Sequence, residues 1–460
     1  MSSRFDPTST SFFRKPVRRL AARTAESCRA LVPTSLRDAA GVITFAIVVA
    51  VVVVTGYLQG AVSVTVAMPA MLGAGTVVIL QAVMACFTVS GLFGLSTAAL
   101  FGQVRAADDA ALPSAGPTIT AIVPVYQDAA ILERSVESLL ESQYENIQIL
   151  VVAEPADSAS IARAREWTDH AQVDLLLNSR YPGSKAGAIN YAAEVTDTEY
   201  LAVFDADERV DPGFVSAAVA KLGSYDIVQG RTIPEPDGVV ETIAYYESVV
   251  LGDLSQRLLT LVTDFTMAAS RTVVMRRSAF EEVGGYDETM LTEDYAFAFD
   301  CYAADLDVAE QLTYTSTIEG AHTLRDWWGQ RKRWMTGYAQ VLHRLVVDPL
   351  SPRSHRTVLA PLICAGSVLG NLFMLSLVSK ALVLVVNDAA TWLVLPLVTL
   401  GAAALAMRTY DFHLGRLDTV GAGWILTPLI LPLYSLVGIK AAVEYLFTWD
   451  GEWYSVAKGL

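Results

Sequence analysis

Asp205 and Asp207 stand two residues apart in "FDADERVDP" (204–212), directly after an apolar run. A D-x-D pair at the end of a buried strand offers hard oxygen ligands to one divalent cation, Mg2+ or Mn2+, shared in turn with phosphate oxygens. The plain alternative is a turn, because Asp and Pro favour turns. Upstream, "GSKAGAIN" sets Lys185 between two glycines at the opening of a helical stretch. A helix N-terminus carrying a lysine suits a diphosphate. Thr292, Glu293 and Asp294 begin a further helical pattern within "GGYDETMLTEDYAFAFDCYAADLDV". An aspartate at that point is either a helix cap or a general base at a hydroxyl. In "QRKRWMTGYAQ" (330–340) an amide, three cations and a tryptophan fill the first five positions, just before a long apolar region. That cluster calls for an anionic or ring-shaped partner. The competing use is a helix at a membrane surface, anchored by Arg and Trp.

These residues need a scaffold, and the stretches between them supply one. "TITAIVPVY" (118–126), "IQILVVA" (147–153), "VDLLLN" (173–178) and "YLAVFDAD" (200–207) are predicted strands. Ile131, Leu132, Val136, Leu139 and Leu140 have helical spacing, and helices are also predicted over 161–167 and across "KAGAINYAAEV". Strands alternating with helices predict a mostly parallel sheet covered on both faces. Ligands of such sheets bind beyond the carboxyl ends of the strands. The polar groups expected there are Gln127 and Asp128, Glu154 and Asp157, and Asp205 and Asp207.

Composition places this domain in a membrane protein. The 460 residues are 53% hydrophobic, with a mean hydropathy of +0.40. Apolar runs lie at 41–58, within 71–101, and at 358–386, 391–407 and 421–447. Each reaches or approaches the roughly 20 residues that cross a hydrocarbon core. The expected organisation is a basic segment (1–40), two spans (41–104), a soluble α/β domain (105–325), interfacial helices with the Gln-Arg-Trp cluster (326–356), about three spans (357–447) and a tail (448–460). Pro428 and Pro432 leave room for the last run to be re-entrant. Eight arginines and lysines precede the first run, which predicts a cytoplasmic N-terminus and a cytoplasmic soluble domain. The formal charge of −15 argues against nucleic acid as a partner. The four cysteines are scattered, so neither a disulfide framework nor a zinc site is implied.

Taken in order, "AIVPVYQD", "SKAGAIN", "FDAD", "RRSAFEEVGGYDETMLTEDYAF" and "QRKRW" resemble the family 2 glycosyltransferases, especially the membrane-embedded synthases of cellulose, chitin and hyaluronan. The resemblance covers roughly 118–335 and extends to the flanking spans. It implies a GT-A (Rossmann-like) α/β fold, a nucleotide-sugar donor, a divalent metal and inversion at the anomeric carbon. It implies that Asp205 and Asp207 bind metal and diphosphate and that Lys185 lies near the donor phosphates. Asp294 would be the general base, with Glu293 on the acceptor side. Gln330, Arg333 and Trp334 match a Q-x-x-R-W motif, with Gln330 and Arg333 toward the donor and Trp334 under the acceptor sugar. The acidic group that the family uses on the nucleoside falls in "VVAEPADS", where either Glu154 or Asp157 would serve. The loop before the family's paired arginines often holds Gly; here it reads "FTMAASRTVVMRR". The implied partners are membrane lipids and a growing polysaccharide, or alternatively a lipid-linked glycan that receives one sugar.

Overall fold

The β-branched runs fold as strands and the periodic segments between them as helices. A computed structural model of the chain describes residues 76–106, 112–348, 350, 354–448, 451, 453, 454 and 456. An apolar helix, α1 (Thr76–Ala106), leads into β1 (Ile119–Val125), α2 (Leu132–Leu140), β2 (Ile147–Ala153), α3 (Ser158–Trp167), β3 (Val173–Leu177), α4 (Lys185–Val195) and β4 (Tyr200–Val203). The chain continues through β5 (Arg209–Val210), α5 (Phe214–Leu222), β6 (Ile227–Pro234), α6 (Val239–Glu247), a π-helical turn (Ser248–Leu254), α7 (Ser255–Thr263), β7 (Val273–Arg276), α8 (Arg277–Val283), α9 (Glu293–Ala303) and β8 (Val308–Ile318). Four long helices follow: α10 (Leu324–Val347), α11 (His355–Val386), α12 (Val394–His413) and α13 (Thr427–Thr448).

The strands form one sheet in the order β3-β2-β1-β4-β7-β6-β8-β5. Four of its seven pairings are parallel and three antiparallel, the latter all involving β7 or β5. This is the expected parallel-rich α/β sheet. Its period-2 alternation is clean in β1. Ile119, Ala121, Val123 and Val125 face α2 and α3, while Ile122 faces α4 and α9. The α4/α9 side of the core runs on without a break into Leu359, Ala360, Ile363 and Cys364 of α11.

One expectation changes at an element boundary. The fourth strand was expected to reach Asp207 but ends at Val203. The Phe204 N–H still bonds the Ile122 carbonyl at 3.0 Å, and then Glu208 N–H bonds the Asp205 carbonyl at 3.1 Å and closes a turn. Asp205 and Asp207 therefore lie in a turn just beyond a strand end. Most of the 326–356 segment belongs to one helix, α10, that begins at Leu324 and is capped by Thr323, whose hydroxyl accepts the Asp326 N–H at 3.1 Å.

Four helices, 78–105, 355–386, 390–413 and 423–448, are long and apolar enough to cross a membrane. The last is one continuous helix from Thr427 to Thr448, with Pro432 inside it. The basic N-terminal segment and the first expected span lie outside the described residues.

Buried ion pairs join the sheet to these helices. Arg231 of β6 donates through Nε to both oxygens of Asp253 (2.9 and 2.8 Å), on the π turn, and through its two terminal nitrogens to Asp411 of α12 (2.6 and 3.0 Å). The Tyr245 hydroxyl donates to Asp411 at 2.7 Å, and Arg416 adds a further bond at 2.9 Å. Arg257 of α7 pairs with Glu310 of β8 and bonds Gln103 of α1. Removing one partner of a buried pair strands the other charge. Arg231→Ala is expected to cost about 3–5 kcal/mol, read as a lowered melting temperature in detergent. Converting Asp253 and Asp411 to Asn in the same chain should return part of that loss; an unchanged melt in Arg231→Ala would contradict the assignment.

Candidate active site

The groups singled out by spacing meet at the carboxyl end of β4. Ser184 caps α4, its hydroxyl accepting the Gly187 N–H at 2.9 Å, so Lys185 becomes the first helical residue. Its ammonium contacts Asp205 Oδ1 directly. Burial alone would lower the Lys185 pKa, but Asp205, then Glu293 and Asp294, hold it above the usual lysine value. One lysine thus feels the D-x-D turn and the Thr-Glu-Asp segment together, although Asp207 and Thr292 are 85 positions apart in sequence.

The D-x-D turn is braced from behind. Asp207 is 2% exposed. Glu208, fully buried, accepts the Asp205 N–H at 3.1 Å and the Thr272 hydroxyl at 2.7 Å. Burial, and then the neighbouring Asp205 charge, push the Glu208 carboxyl up to about 8. Thr272 in turn bonds Ser316 (2.6 Å) and Thr232 (2.9 Å). Its φ of 45° is left-handed, which costs a β-branched residue on the order of 1–3 kcal/mol.

Glu293 and Asp294 occupy the first turn of α9 but are placed differently. Glu293 is 7% exposed and accepts the Ser270 hydroxyl at 3.0 Å. Burial and the adjacent Asp294 raise its pKa, and Lys185 opposes them. Asp294 is half-buried, and its Oδ1 accepts the Tyr295 N–H at 2.7 Å. The N-cap position belongs to Thr292, which makes no side-chain cap bond. Asp294 thus sits inside the first turn, past the N-cap, and bonds one of its backbone N–H groups.

Helix α10 closes the site. Gln330, Arg333, Trp334 and Gly337 recur at three- and four-residue steps and share one face. A Cβ on Gly337 would sit 2.4 Å from Thr292 Oγ1, so glycine permits the close approach of α10 to the Thr-Glu-Asp segment. Gln340 fastens the same contact, accepting the Leu291 N–H at 2.9 Å and donating to the Thr289 carbonyl at 3.0 Å. From the other side, Glu247 of α6 accepts Arg331 Nε (3.0 Å) and Trp327 Nε1 (2.7 Å). Burial lowers the Arg333 pKa, while Glu293, Asp294 and Asp205 work to raise it. Arg331 covers one face of the Trp334 ring at 4.7 Å, and Gln330 Oε1 accepts from Arg331.

Glu154 and Asp157 stand just beyond β2, next to this cluster. Asp157 caps α3 by accepting the Ser160 N–H (3.1 Å) and takes the Gln127 N–H (2.6 Å) on its other oxygen. Burial opposes these bonds, yet they hold its carboxyl below the usual range. Glu154 accepts from Asn178 (2.7 Å) and from the Gly183 N–H (3.0 Å), fixing the loop that delivers Lys185. Both carboxylates order strand-end loops.

Asp205 and Asp207 supply two hard oxygen donors. Among the described residues no three His, Cys, Asp or Glu side chains converge as a metal site. A divalent cation takes about six oxygen ligands. The residues therefore fit an ion shared with phosphate and water rather than a protein-only cage.

Two members of the site were not foreseen from sequence. Arg271 precedes Thr272 and lies among Asp205, Asp294, Glu208 and Asp207; burial would lower its pKa, and those four carboxylates raise it. Trp453, in the tail, lays its ring over the Arg333 guanidinium at 4.0 Å, while Tyr454 donates its hydroxyl to Asp326 at 2.9 Å. The aromatic pair after the last apolar run was the only sign of this return.

Residues 200–406 match the family model described as "Glycosyl transferase family group 2". The poly-beta-1,6-N-acetyl-D-glucosamine synthase of Staphylococcus epidermidis is 24% identical over 236 residues, 49% of this chain and 56% of that protein. The protein of the same name from Staphylococcus aureus is 25% identical over 237 residues, again 56% of its length. The chain thus spans about half the length of the curated relatives it matches. A solved mannosyltransferase from Pyrobaculum calidifontis, in complex with GDP-Man and Mn2+, superposes with a TM-score of 0.46 at 16% identity, over 79% of this chain and 100% of that one.

Proposed function

From a chain that carries a family 2 glycosyltransferase domain, we propose a membrane enzyme that moves a sugar from a nucleotide-sugar donor, a UDP-sugar, to a growing polysaccharide, with inversion at the anomeric carbon. The observation that carries the reading is the meeting of Lys185, Asp205, Glu293, Asp294 and Arg333 in one half-buried electrostatic cluster, with Lys185 in direct contact with Asp205. The polysaccharide acceptor follows the names of the relatives, and apolar helices packed directly on the catalytic domain suit export of the product as it grows. The soluble domain lies on the cytoplasmic side, where nucleotide sugars are made.

Asp205 and Asp207 would hold Mg2+ or Mn2+, and such an ion would supply positive charge to offset that developing on the departing diphosphate. Lys185 and Arg333 add fixed positive charge to the same group. Asp294 takes the proton from the acceptor hydroxyl as that oxygen attacks. Glu293 stays beneath it, held by Ser270, and Trp334 presents its open face to the acceptor sugar. Glu154 and Asp157 shape the nucleoside end.

Purified chain in detergent, given Mn2+ and a set of labelled nucleotide sugars, should convert one of them into long product. Product of one added sugar on a lipid extract would replace this reading by single transfer to a lipid-linked glycan. No transfer from any donor would remove it.

A further inference from the structure

The strained loop at Ser270–Thr272 has a purpose that its packing does not explain. Ser270 is tied to Glu293 at 3.0 Å, and Thr272 is tied to Glu208 at 2.7 Å. Arg271 is thereby suspended between the Thr-Glu-Asp segment and the D-x-D turn. Its backbone is fixed as well: the Arg271 carbonyl accepts Gln229 Nε2 at 3.0 Å, and the Thr272 carbonyl accepts the Gly230 N–H at 2.7 Å. These bonds hold Thr272 at its positive φ of 45°. Backbone strain kept by so many bonds marks a position where direction matters.

The side chain itself is left open. Among the described residues no hydrogen bond or ion pair engages the Arg271 guanidinium, although four carboxylates surround it. Arg333 stands close enough that the Arg271 charge works to lower its pKa. Arg333 Nε is buried and likewise lacks a hydrogen-bond partner. Two like-charged guanidiniums near one another, both with donors to spare, suit an anion as a shared partner. A planar fork on each side matches a group with several charged oxygens.

We propose that Arg271 binds the diphosphate of the nucleotide donor opposite Arg333, and that the left-handed Thr272 backbone aims it there. The assignment rests on the glycosyl-transfer reading above and adds a second arginine to it. Arg271 would meet the phosphate oxygens turned away from Lys185, so that the leaving group is gripped from two directions.

The test is calorimetric titration of the full chain in detergent with UDP, GDP, UMP and uridine, each with Mn2+, alongside melting curves. A hydrogen-bonded charge pair lost from the site corresponds to about 10- to 100-fold in affinity. Arg271→Gln should weaken the preferred diphosphate by that factor and leave the nucleoside unchanged, which narrows the ratio of diphosphate to nucleoside affinity. Arg271→Lys should recover part of the ratio. Thr272→Gly, which frees the backbone, should narrow it without removing the guanidinium. A purely structural Arg271 would lower the melting temperature of Arg271→Gln and leave the ratio intact, and that result overturns the proposal. Were Arg271 to serve an anionic acceptor instead, diphosphate affinity would again be unchanged, with the same consequence. Wild-type chain that binds neither diphosphate would remove the glycosyl-transfer reading itself, and this inference with it.

Discussion

Asp294→Asn should lower turnover by about 10²–10⁴-fold while nucleotide affinity and melting temperature stay near wild type. Asn keeps the shape of the side chain and the bond that Oδ1 accepts from the Tyr295 N–H. It lacks only the capacity to take a proton. Stability should change little, because the N-cap position is held by Thr292 and no cap bond depends on Asp294. The neighbouring carboxylate is a poor substitute: Glu293 is 7% exposed and already accepts the Ser270 hydroxyl. Single-turnover measurements with donor saturating would isolate the chemical step. If Asp294→Asn turns over at the wild-type rate, the base lies elsewhere. If it melts early and binds nucleotide poorly, Asp294 is structural.

Chelation should silence the enzyme. With EDTA in excess, sugar transfer is expected to vanish and to return on adding Mn2+ or Mg2+. Asp207→Asn should abolish activity or raise the metal concentration needed. Asp205→Asn should do the same and also release Lys185, whose raised pKa owes its largest favourable contribution to Asp205. A readout apart from turnover is available, since free Mn2+ gives a sharp magnetic resonance signal that broadens on binding. Wild-type chain with nucleoside diphosphate should titrate that signal with one site, and Asp207→Asn should not. Full transfer in EDTA would show that Lys185 and arginines alone neutralise the leaving group.

Much of the arrangement was legible because it is local. β1, β2 and β3 are short β-branched runs between helical spacings, so their place in a parallel stretch of sheet follows from pattern alone. Asp205, Asp207, Lys185 and Asp294 were visible as polar groups at strand ends or helix starts. Arg271 was not, because nothing in "FTMAASRTVVMRR" tells that Thr272 takes a left-handed φ, nor which way the preceding side chain is thrown. Trp453 was missed for a different reason. Its contact with Arg333 joins residues 120 positions apart and depends on how α11, α12 and α13 return the tail to α10. The role of Glu247 is equally non-local: a glutamate ending one helix is unremarkable until Arg331 and Trp327 are set against it. Glu154 and Asp157 show the limit of reading by residue type. Both stand at the expected strand end, yet their oxygens are largely taken up by holding loops.

The buried pairs at Arg231 and Arg257 bear on how this protein can be taken apart. A sequence that reads as membrane helices around a soluble enzyme invites excision of the middle. Cutting near residues 112 and 348 would remove Asp411 and Gln103, leaving one guanidinium with half its carboxylates and the other without its amide. It would also bare Tyr245, Tyr246, Val249 and Leu254, which pack against Leu100, Ala403, Ala404 and Met407. On the opposite side, the core would lose Leu359, Ala360 and Ile363. The excised piece would carry an apolar flank and stranded charge on the same surface, and would clump rather than dissolve. The soluble domain is therefore not portable: the long apolar helices that flank it are also part of its own interior.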